Sequence, residues 1–205
     1  MRDIYLYENE NVLKNKLGIR NAKLLEEAEG NYVSLRLKEI TLNPIAGVYD
    51  YQHFLEFHAY IFQDIYEWAG QQRKLNIFKA EPVLGGISVE YSDVFDIAKD
   101  MVGVLKRMNS RNWETLERKA LVKNFSADLA ALWKIHCFRE GNTRTVITFC
   151  CQYADEHGFP VNRKIFEENS AYVRNALVAY NAVFSDMGDL SKPQFLERII
   201  DDAIN

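Results

Sequence analysis

The sequence predicts a mostly helical protein that carries one β-hairpin. Apolar residues recur at intervals of three and four through most of the 205-residue chain, which is the spacing of one helical face. Only one stretch, from Gly70 to about Tyr91, alternates polar and apolar residues in the manner of β-strands. A hydrophobic content of 48% suffices for the buried core of one domain, and we find no repeat or long linker that would divide the chain.

The amino-terminal part, residues 1–49, is predicted to be a helical segment. Residues 1–19 are polar, with one short periodic piece that ends at Gly18, and residues 20–40 form a longer amphipathic pattern. The turn-rich residues 43–47 then connect to the next helix. This segment therefore contributes mainly one predicted helix.

The core is predicted to begin at Asp50, which suits the N-cap of a helix that runs to about Trp68. Phe57 and His58 share the apolar face of this helix, so His58 is interpreted as a core histidine. His53 lies five residues before His58, whereas metal ligands on one helical face are three or four residues apart. A zinc site is therefore not expected.

The alternating stretch predicts the hairpin. Residues 74–79 and 87–91 are the two predicted strands, and Pro82 with Gly85 and Gly86 forms the turn between them. An exposed strand edge can pair with an extended peptide, so the hairpin is a candidate docking site. A plain surface hairpin is the alternative interpretation of the same pattern.

The second half of the chain is predicted to be helical. The periodic stretches are residues 92–110, 112–135 with a break at 123–124, 145–157 and 162–182. Gly158 ends the third of them as a left-handed cap. A turn at residues 186–189 precedes a last helix, for which Ser191 and Gln194 form a capping-box pattern around Pro193.

One stretch between two predicted helices concentrates chemically active residues: His136-Cys137-Phe138-Arg139-Glu140-Gly141-Asn142-Thr143-Arg144. Its end forms the first turn of a helix, where unpaired backbone N–H groups and the helix dipole attract anions. Gly141 permits the close approach of a ligand, and Arg144 adds a fork of donors for phosphate. Asn142 either caps the helix or binds a phosphate oxygen, because its side chain can serve only one of these purposes fully.

Two further side chains extend this motif from binding to reaction. His136 is a candidate general base, and Glu140 together with phosphate oxygens and water is the usual environment of Mg²⁺. The set indicates phosphoryl or nucleotidyl transfer. Taken singly, each residue also fits a structural role: Gly-Asn is a common turn pair, and buried histidines usually have satisfied hydrogen bonds. Their concentration within nine residues favours a site.

The motif resembles that of the Fic family, His-Pro-Phe-x-Asp/Glu-Gly-Asn-Gly-Arg-x-x-Arg. The matching positions are His136, Phe138, Glu140, Gly141, Asn142 and Arg144. Residues 5–40 and 61–70 also look like segments of the family, so the resemblance covers nearly the whole chain. It implies the Fic fold, a helical bundle with one β-hairpin flap.

The resemblance also implies how the chain is organised. A single Fic domain would occupy residues 1–205, with its core at residues 50–182. The flap would lie at about residues 72–91, the motif at 136–144, and a carboxyl-terminal helix within residues 183–205.

Three positions depart from the family pattern. Cys137 replaces the proline, Thr143 replaces the second glycine, and Ile147 stands where the second arginine belongs. By resemblance that arginine helps to hold the terminal phosphate of ATP, so its absence weakens the expectation of tight ATP binding. Arg139 and Arg174 are candidate substitutes.

A glutamate in the amino-terminal helix also invites comparison with the family. Regulated Fic proteins carry an inhibitory helix with the pattern Ser/Thr-x-x-x-Glu-Gly/Asn, and Glu29-Gly30 resembles its end. Leu25, however, stands at the Ser/Thr position. We therefore expect no built-in inhibitor and instead a separate inhibitor protein.

The resemblance implies a protein adenylyltransferase that moves AMP from ATP to a Tyr, Thr or Ser hydroxyl of a target protein, with Mg²⁺ as cofactor. The implied catalytic set is His136, Asn142 and Arg144, and Glu140 would hold the metal. The implied nucleotide-binding residues are Phe138, Arg139, Gly141, Asn142, Thr143 and Arg144. The flap residues expected to dock the target are Leu75, Asn76, Ile77, Phe78 and Lys79.

Two alternatives remain open at this point. One is a Fic-like transferase with another donor, such as UMP, phosphocholine or kinase-type transfer. The other is a nucleotide-binding module with weakened catalysis. Thr143 and Ile147 motivate the first alternative, and Ile147 motivates the second.

Composition limits the setting. A net charge of −4 and a pI near 5.6 argue against direct nucleic-acid binding. Three cysteines, two of them adjacent, indicate a reducing compartment rather than a disulfide framework. The start of the chain lacks the apolar region of a signal peptide, and no apolar run has the roughly 18 residues needed to span a membrane. We expect a cytoplasmic protein without membrane contact; the resemblance to stand-alone Fic proteins implies a toxin with a small antitoxin partner.

Overall fold

Eight α-helices make up most of residues 3–204, the part of the chain that the computed structural model describes. They are α1 (Ala22–Leu42), α2 (Tyr51–Phe62), α3 (Ile97–Asn109), α4 (Arg118–Ile135), α5 (Asn142–Glu156), α6 (Arg163–Glu168), α7 (Ser170–Tyr180) and α8 (Pro193–Ala203). Two strands, β1 (Val183–Phe184) and β2 (Gly188–Asp189), form a small antiparallel hairpin. The predicted class, mostly helical with one hairpin, is confirmed.

The centre of the bundle is formed by α2, α4 and α5, with α5 packed on both of the other two. Their facing sides are apolar, and Phe57, Phe125 and Phe149 are completely buried there. The rings of Phe57 and Phe149 meet edge to face with 5.2 Å between centroids, a favourable aromatic geometry. Helix α1 covers α2, α3 lies on α4, and α8 contacts both α4 and α7. The loop between α4 and α5, which holds the motif, therefore lies in the middle of the bundle.

Several local predictions are confirmed. Helix α1 occupies the predicted stretch, and the Asp50 carboxylate accepts a hydrogen bond from the His53 N–H at 2.8 Å as the N-cap of α2. Helix α5 begins at Asn142, inside the motif, and Gly158 follows it with a left-handed φ of 79°. No helix within residues 3–204 is both long and apolar enough to cross a membrane.

Some predicted helix limits are wrong. Helix α2 ends at Phe62 rather than Trp68, and the stretch from residue 112 becomes α-helical only at Arg118, without a break at 123–124. The stretch 162–182 is divided into α6 and α7 at Asn169, whose side-chain amide donates to the Ile165 carbonyl at 2.8 Å. Asparagine often ends a helix in this way, because its side chain competes for backbone groups.

The two ends of the chain also differ from the prediction. Residues 3–21 form turns with an isolated bridge between Leu6 and Leu13, so only α1 is helical in the amino-terminal segment. The capping box at Ser191 is absent, because α8 begins at Pro193 and its N-cap, Lys192, makes no side-chain cap bond. The Ser191 N–H instead donates to the Asp189 carboxylate at 2.9 Å.

The hairpin lies elsewhere than predicted. Residues 72–91 contain no strand; they form an extended excursion that reverses through a 3₁₀ turn at Pro82–Leu84. The Glu81 N–H donates to the Ile87 carbonyl at 3.2 Å, but no ladder of paired backbone bonds develops along this part of the chain. The paired strands are β1 and β2, which border the turn predicted at residues 186–189. We keep the name flap for residues 72–91.

Candidate active site

The backbone leaves α4 at His136, which adopts a left-handed conformation with φ 51° and ψ 56°. This region is sparsely populated by residues other than glycine and often marks a functional site. The Nδ1 atom of His136 lies 3.3 Å from the Trp133 carbonyl, and because a carbonyl only accepts, Nδ1 carries the proton. The Nε2 atom is then unprotonated, and it is buried without a hydrogen-bond partner within the described residues. Its lone pair is available to accept a proton.

The surroundings of His136 keep it neutral. Burial is the main reason that the pKa of His136 lies well below its usual value near 6.5. The cations Lys79, Arg73 and Arg174 act in the same direction, while the hydrogen bond to the Trp133 carbonyl opposes them. A neutral imidazole at pH 7 is the form that a general base requires.

The side chain of Asn142 closes the motif loop on itself. Its Oδ1 accepts from the Phe138 N–H at 2.9 Å, and its Nδ2 donates to the Phe138 carbonyl at 2.8 Å. The sequence left two roles open for Asn142, helix capping and phosphate binding. In the structure both ends of its amide instead bond to the loop backbone. Phe138 is completely buried and its ring stacks on that of His58 with 3.7 Å between centroids. This burial places Phe138 as a support of the loop rather than as a surface for a nucleotide.

His58 is a core histidine, as predicted. Its Nδ1 accepts from the Gly70 N–H at 2.8 Å, so the protonated Nε2 donates to the Glu140 carbonyl at 3.1 Å. Burial lowers the pKa of His58 to about 3. His58 is therefore neutral, and it supports the motif loop through its hydrogen bond to the Glu140 carbonyl.

Gly141 is required by both conformation and space. Its φ is 81°, and a Cβ placed on it would lie 2.3 Å from the Phe62 ring. It precedes the first turn of α5, where the N–H groups of Asn142, Thr143 and Arg144 have no acceptor within the helix. These N–H groups are the donors on which the predicted anion site depends. The Thr143 hydroxyl accepts from the Trp133 indole N–H at 2.8 Å and so ties α5 to α4.

Glu140 is the carboxylate nearest to this anion site along the chain. Its Oε1 accepts from the Gly141 N–H at 3.0 Å, and its Oε2 lies 3.3 Å from the Lys79 ammonium. Burial alone would raise the pKa of Glu140, but Lys79, the Gly141 N–H and Arg144 outweigh it, so the pKa is lowered and the carboxylate is ionised. Residues 3–204 contain no group of three or more His, Cys, Asp or Glu side chains that could hold a metal alone. A metal at Glu140 would have to share its coordination with a ligand such as phosphate.

Arg144 pairs with Glu29, a residue outside the predicted site. Its guanidinium lies 2.5 Å from the Glu29 carboxylate, across from α1, and its Cζ lies 4.8 Å above the Phe62 ring. The other oxygen of Glu29 accepts a short hydrogen bond from the Tyr66 hydroxyl. The sequence carries a signal for Glu29 in Glu29-Gly30, although Leu25 departs from the pattern; Leu25 is a buried core residue of α1. The structure thus adds Glu29 to the site.

The two candidate substitutes for the missing second arginine are already paired. Arg139 binds the Asp3 carboxylate at 2.8 Å. Arg174, on α7, contacts both oxygens of the buried Glu81 at 2.7 and 2.9 Å. Ile147 itself is partly buried against the core. Either arginine would therefore have to leave its carboxylate before it could bind a phosphate.

The flap lies over the motif loop. The ring of Tyr91 lies 4.0 Å from that of His136, and Lys79 reaches Glu140. Exposure alternates along the predicted docking residues: Leu75, Ile77 and Lys79 are partly buried, whereas Asn76 and Phe78 are exposed. The flap is thus extended and alternating, although it pairs with no strand.

The comparison with known families agrees with this geometry. The Fic/DOC family model matches residues 48–154, just over half of the chain. The chain belongs to the Fic/DOC family. The match contains the flap and the motif loop, whereas Glu29 in α1 and Arg174 in α7 lie outside it.

Curated relatives of this Fic protein are named adenylyltransferases. The chain is 30% identical over 161 residues to protein adenylyltransferase VbhT of Bartonella schoenbuchensis, covering 78% of the chain but only 32% of VbhT. It is 25% identical over 204 residues to the probable protein adenylyltransferase Fic of Escherichia coli, covering 98% and 94% of the two chains. It is 29% identical to the probable protein adenylyltransferase y4lH of Sinorhizobium fredii over 82% of the chain and 83% of that relative.

Solved Fic domains share the fold. BepC of Bartonella tribocorum, with bound AMPPNP, superposes with a TM-score of 0.80 at 21% identity over 98% of this chain and 96% of BepC. A Fic domain of Bartonella quintana with bound ADP gives 0.78 at 22% identity over 98% and 94% of the two chains. The predicted Fic fold is confirmed by these likenesses.

Proposed function

We propose that this Fic protein is an adenylyltransferase that moves AMP from ATP to a hydroxyl side chain of another protein. The observation that carries the proposal is the Nε2 atom of His136, which is unprotonated, buried and without a hydrogen-bond partner among residues 3–204. It lies in the loop just before the amino terminus of α5. The names of the curated relatives support the choice of AMP and ATP.

The reaction follows from these positions. The phosphates of ATP would accept hydrogen bonds from the first-turn amides of α5 and from Arg144. His136 Nε2 takes the proton of the target hydroxyl, whose oxygen forms a bond to the α-phosphorus. The bond from that phosphorus to the β-phosphate oxygen breaks, and pyrophosphate leaves. The same amides and Arg144 stabilise the charge that develops on the phosphoryl oxygens.

Glu140 is the residue that would hold Mg²⁺. Its carboxylate is ionised, and one oxygen already faces the Lys79 ammonium, so it suits a cation. Bound at Glu140, Mg²⁺ would supply positive charge that neutralises part of the charge of the phosphates. Lys79 belongs to the flap, so its release from Glu140 would couple cation binding to a change in the flap.

The target is proposed to lie along the flap. An extended edge, without a partner strand in the described part of the chain, is formed by Leu75, Asn76, Ile77, Phe78 and Lys79. Phe78 is 73% exposed. An extended peptide can bind such an edge through its own backbone. A cytoplasmic location, in line with the cysteine usage, and a small inhibitor protein, as the resemblance implies, complete the proposal.

A second candidate function is nucleotide binding with little turnover. It is favoured by the ion pair of Arg144 with Glu29 and by the apolar side chain of Ile147. In this case the groups that donate hydrogen bonds to phosphate would be present, but Arg144 would stay paired with the Glu29 carboxylate.

Cell lysate with ATP labelled at either the α- or the γ-phosphate separates these functions. We expect label from the α-position on a protein with the wild type and with His157→Ala, a control at the far end of α5. His136→Ala should lower the rate by about 10²–10⁴. Label from the γ-position would show kinase-type transfer. Tight AMPPNP binding without any label would support the second candidate, and wild-type transfer by His136→Ala would contradict the mechanism.

A further inference from the structure

Arg73 is the only lysine or arginine among residues 3–204 that is buried; its exposure is 1%. Within the same residues no carboxylate lies at ion-pair distance from its guanidinium. A buried charge needs partners, because removal from water is costly. The hydrogen-bond partners of Arg73 are almost entirely backbone carbonyl groups, although Arg73 lies outside the motif.

The donors of Arg73 point to the motif loop and to both ends of the flap. Nε donates to the His136 carbonyl at 2.8 Å, Nη1 donates to the Leu75 carbonyl at 2.7 Å, and Nη2 donates to the Ser92 carbonyl. The backbone N–H of Arg73 donates to the Cys137 carbonyl at 2.9 Å. One residue thus binds two successive carbonyls of the motif and closes the base of the flap.

We propose that Arg73 is a positioning residue for His136: its planar guanidinium fixes the His136 carbonyl, and with it the left-handed backbone that holds the imidazole in a single orientation. The same contacts hold the flap over that imidazole. This proposal rests on the proposed role of His136 as the base.

The left-handed conformation explains why such a clamp is needed. Residues with a Cβ rarely adopt it unless their surroundings hold them there. The Asn142 side chain holds Phe138, and His58 holds Glu140, but the carbonyl of His136 is held by Arg73. Without this bond the loop could relax toward a more populated conformation, and the Nδ1 contact to Trp133 would lose its geometry.

Lysine would not replace this clamp. The guanidinium directs donors at fixed angles toward three carbonyls, whereas an ammonium is a single point with three rotating donors. Arg73→Lys keeps the charge and most of the volume, so it isolates the geometry. Arg73→Met removes the charge as well.

The test reads the imidazole directly by NMR of protein labelled with ¹⁵N at its histidine rings. The chain has four histidines, and His136→Ala identifies the signals of His136. At about pH 7 the wild type should show one neutral tautomer with the proton on Nδ1. In Arg73→Lys and Arg73→Met we expect these signals to shift toward a mixture of tautomers, while those of His53 and His157 remain in place.

Arg118→Met is the matched control. Arg118 also donates to backbone carbonyls, those of Asp201 at 2.6 Å and Ile204 at 3.0 Å, but it does so at the end of α8. Arg118→Met should leave the NMR signals of the His136 ring unchanged. Where a target is in hand, Arg73→Lys should lower kcat by about 10²-fold with a change in the KM for ATP below about twofold, the pattern of a misplaced catalytic group.

Two results would overturn the proposal. In the first, Arg73→Lys keeps the wild-type signals of His136. In the second, both Arg73 variants fail to fold, which would give Arg73 a role in folding alone. If only Arg73→Met unfolds, Arg73→Lys decides. The ring measurement uses neither ATP nor a target, so its outcome is independent of whether the protein transfers AMP.

Discussion

Two arginines at the motif loop differ in the partners that hold them. Arg73 is buried and donates mainly to backbone carbonyls, whereas the side chain of Arg144 is 33% exposed and pairs with the carboxylate of Glu29. A phosphate can replace a carboxylate, because both are anions with matching acceptor geometry. It cannot replace carbonyl groups that belong to the fold. The difference separates a permanent cation, which shapes the loop, from an exchangeable one, which is available to a ligand.

Between the two arginines, the larger effect is expected for Arg144, the exchangeable cation. Arg144→Ala removes the donors that we propose bind the phosphates of ATP, so kcat/KM for AMP transfer should fall by about 10²–10³. Labelled transfer kinetics measure this. Arg139→Ala is the control, because Arg139 lies in the same loop but is bound to Asp3, and it should cost less than about tenfold. Equal losses of kcat/KM in the two variants would contradict a specific role of Arg144 in binding the nucleotide.

The buried histidines of the motif loop and of α2, His136 and His58, should make the stability of the protein depend on pH. His136 and His58 have lowered pKa values when folded, whereas both titrate near 6.5 when unfolded. Below pH 6.5 the unfolded chain therefore takes up protons that the folded chain does not, and stability falls as pH falls. Between pH 6.5 and 5 each histidine should cost about 2 kcal/mol.

Denaturant unfolding at several pH values checks this expectation. His58→Gln removes one of the two titrating groups, so the loss of stability per pH unit should fall by about half. A free energy of unfolding that stays constant from pH 7 to pH 5 would contradict the lowered pKa values.

Gly141 lies in the motif loop between His136 and Arg144, and its replacement should destabilise the protein. Gly141→Ala places a methyl group against Phe62 and keeps a left-handed φ, whereas Gly85→Ala has a similar φ of 65° with no atom within 4 Å. Both variants carry the backbone cost, so their difference reports the contact with Phe62. We expect Gly141→Ala to lose about 1–3 kcal/mol more than Gly85→Ala in denaturant unfolding. Equal losses would show that Phe62 moves aside freely.

The contrast between local and distant contacts also explains what the sequence could predict. The motif loop was predictable because its glycine, amide, carboxylate and base lie within nine residues, and because α5 starts with it. The contacts of Arg73 with His136 and of Glu29 with Arg144 were not, since they span 63 and 115 positions of the chain. No periodicity in a single sequence records which distant side chain meets a given carbonyl.

The flap shows a different limit. Its alternation of exposed and partly buried residues is real, and it correctly indicates an extended backbone. Alternation does not say whether a second strand lies at pairing distance, and here the reversal at Pro82–Leu84 leaves no ladder. The true hairpin, β1 and β2, has only two residues in each strand, which is too short for a periodic pattern.

The smallest effect is expected for the partner of the exchangeable cation. Glu29→Gln weakens the pair with Arg144, so the affinity for AMPPNP should rise by about 3–10-fold, the range of a partly exposed charged contact. Calorimetry measures this. Glu39→Gln is the control on the same helix, because Glu39 also accepts from an arginine and a tyrosine, Arg36 and Tyr60. The same gain in both variants would point to α1 as a whole rather than to Glu29.

The central claim is that His136 is the base and that Arg144 is the cation released to the nucleotide. Single-turnover transfer of α-labelled AMP, compared between Glu29→Gln and Glu29→Gln combined with His136→Ala, tests both parts together. We predict that Glu29→Gln labels its target at least as fast as the wild type and that the double variant is slower by about 10²–10⁴. A double variant that labels as fast as Glu29→Gln would contradict the account.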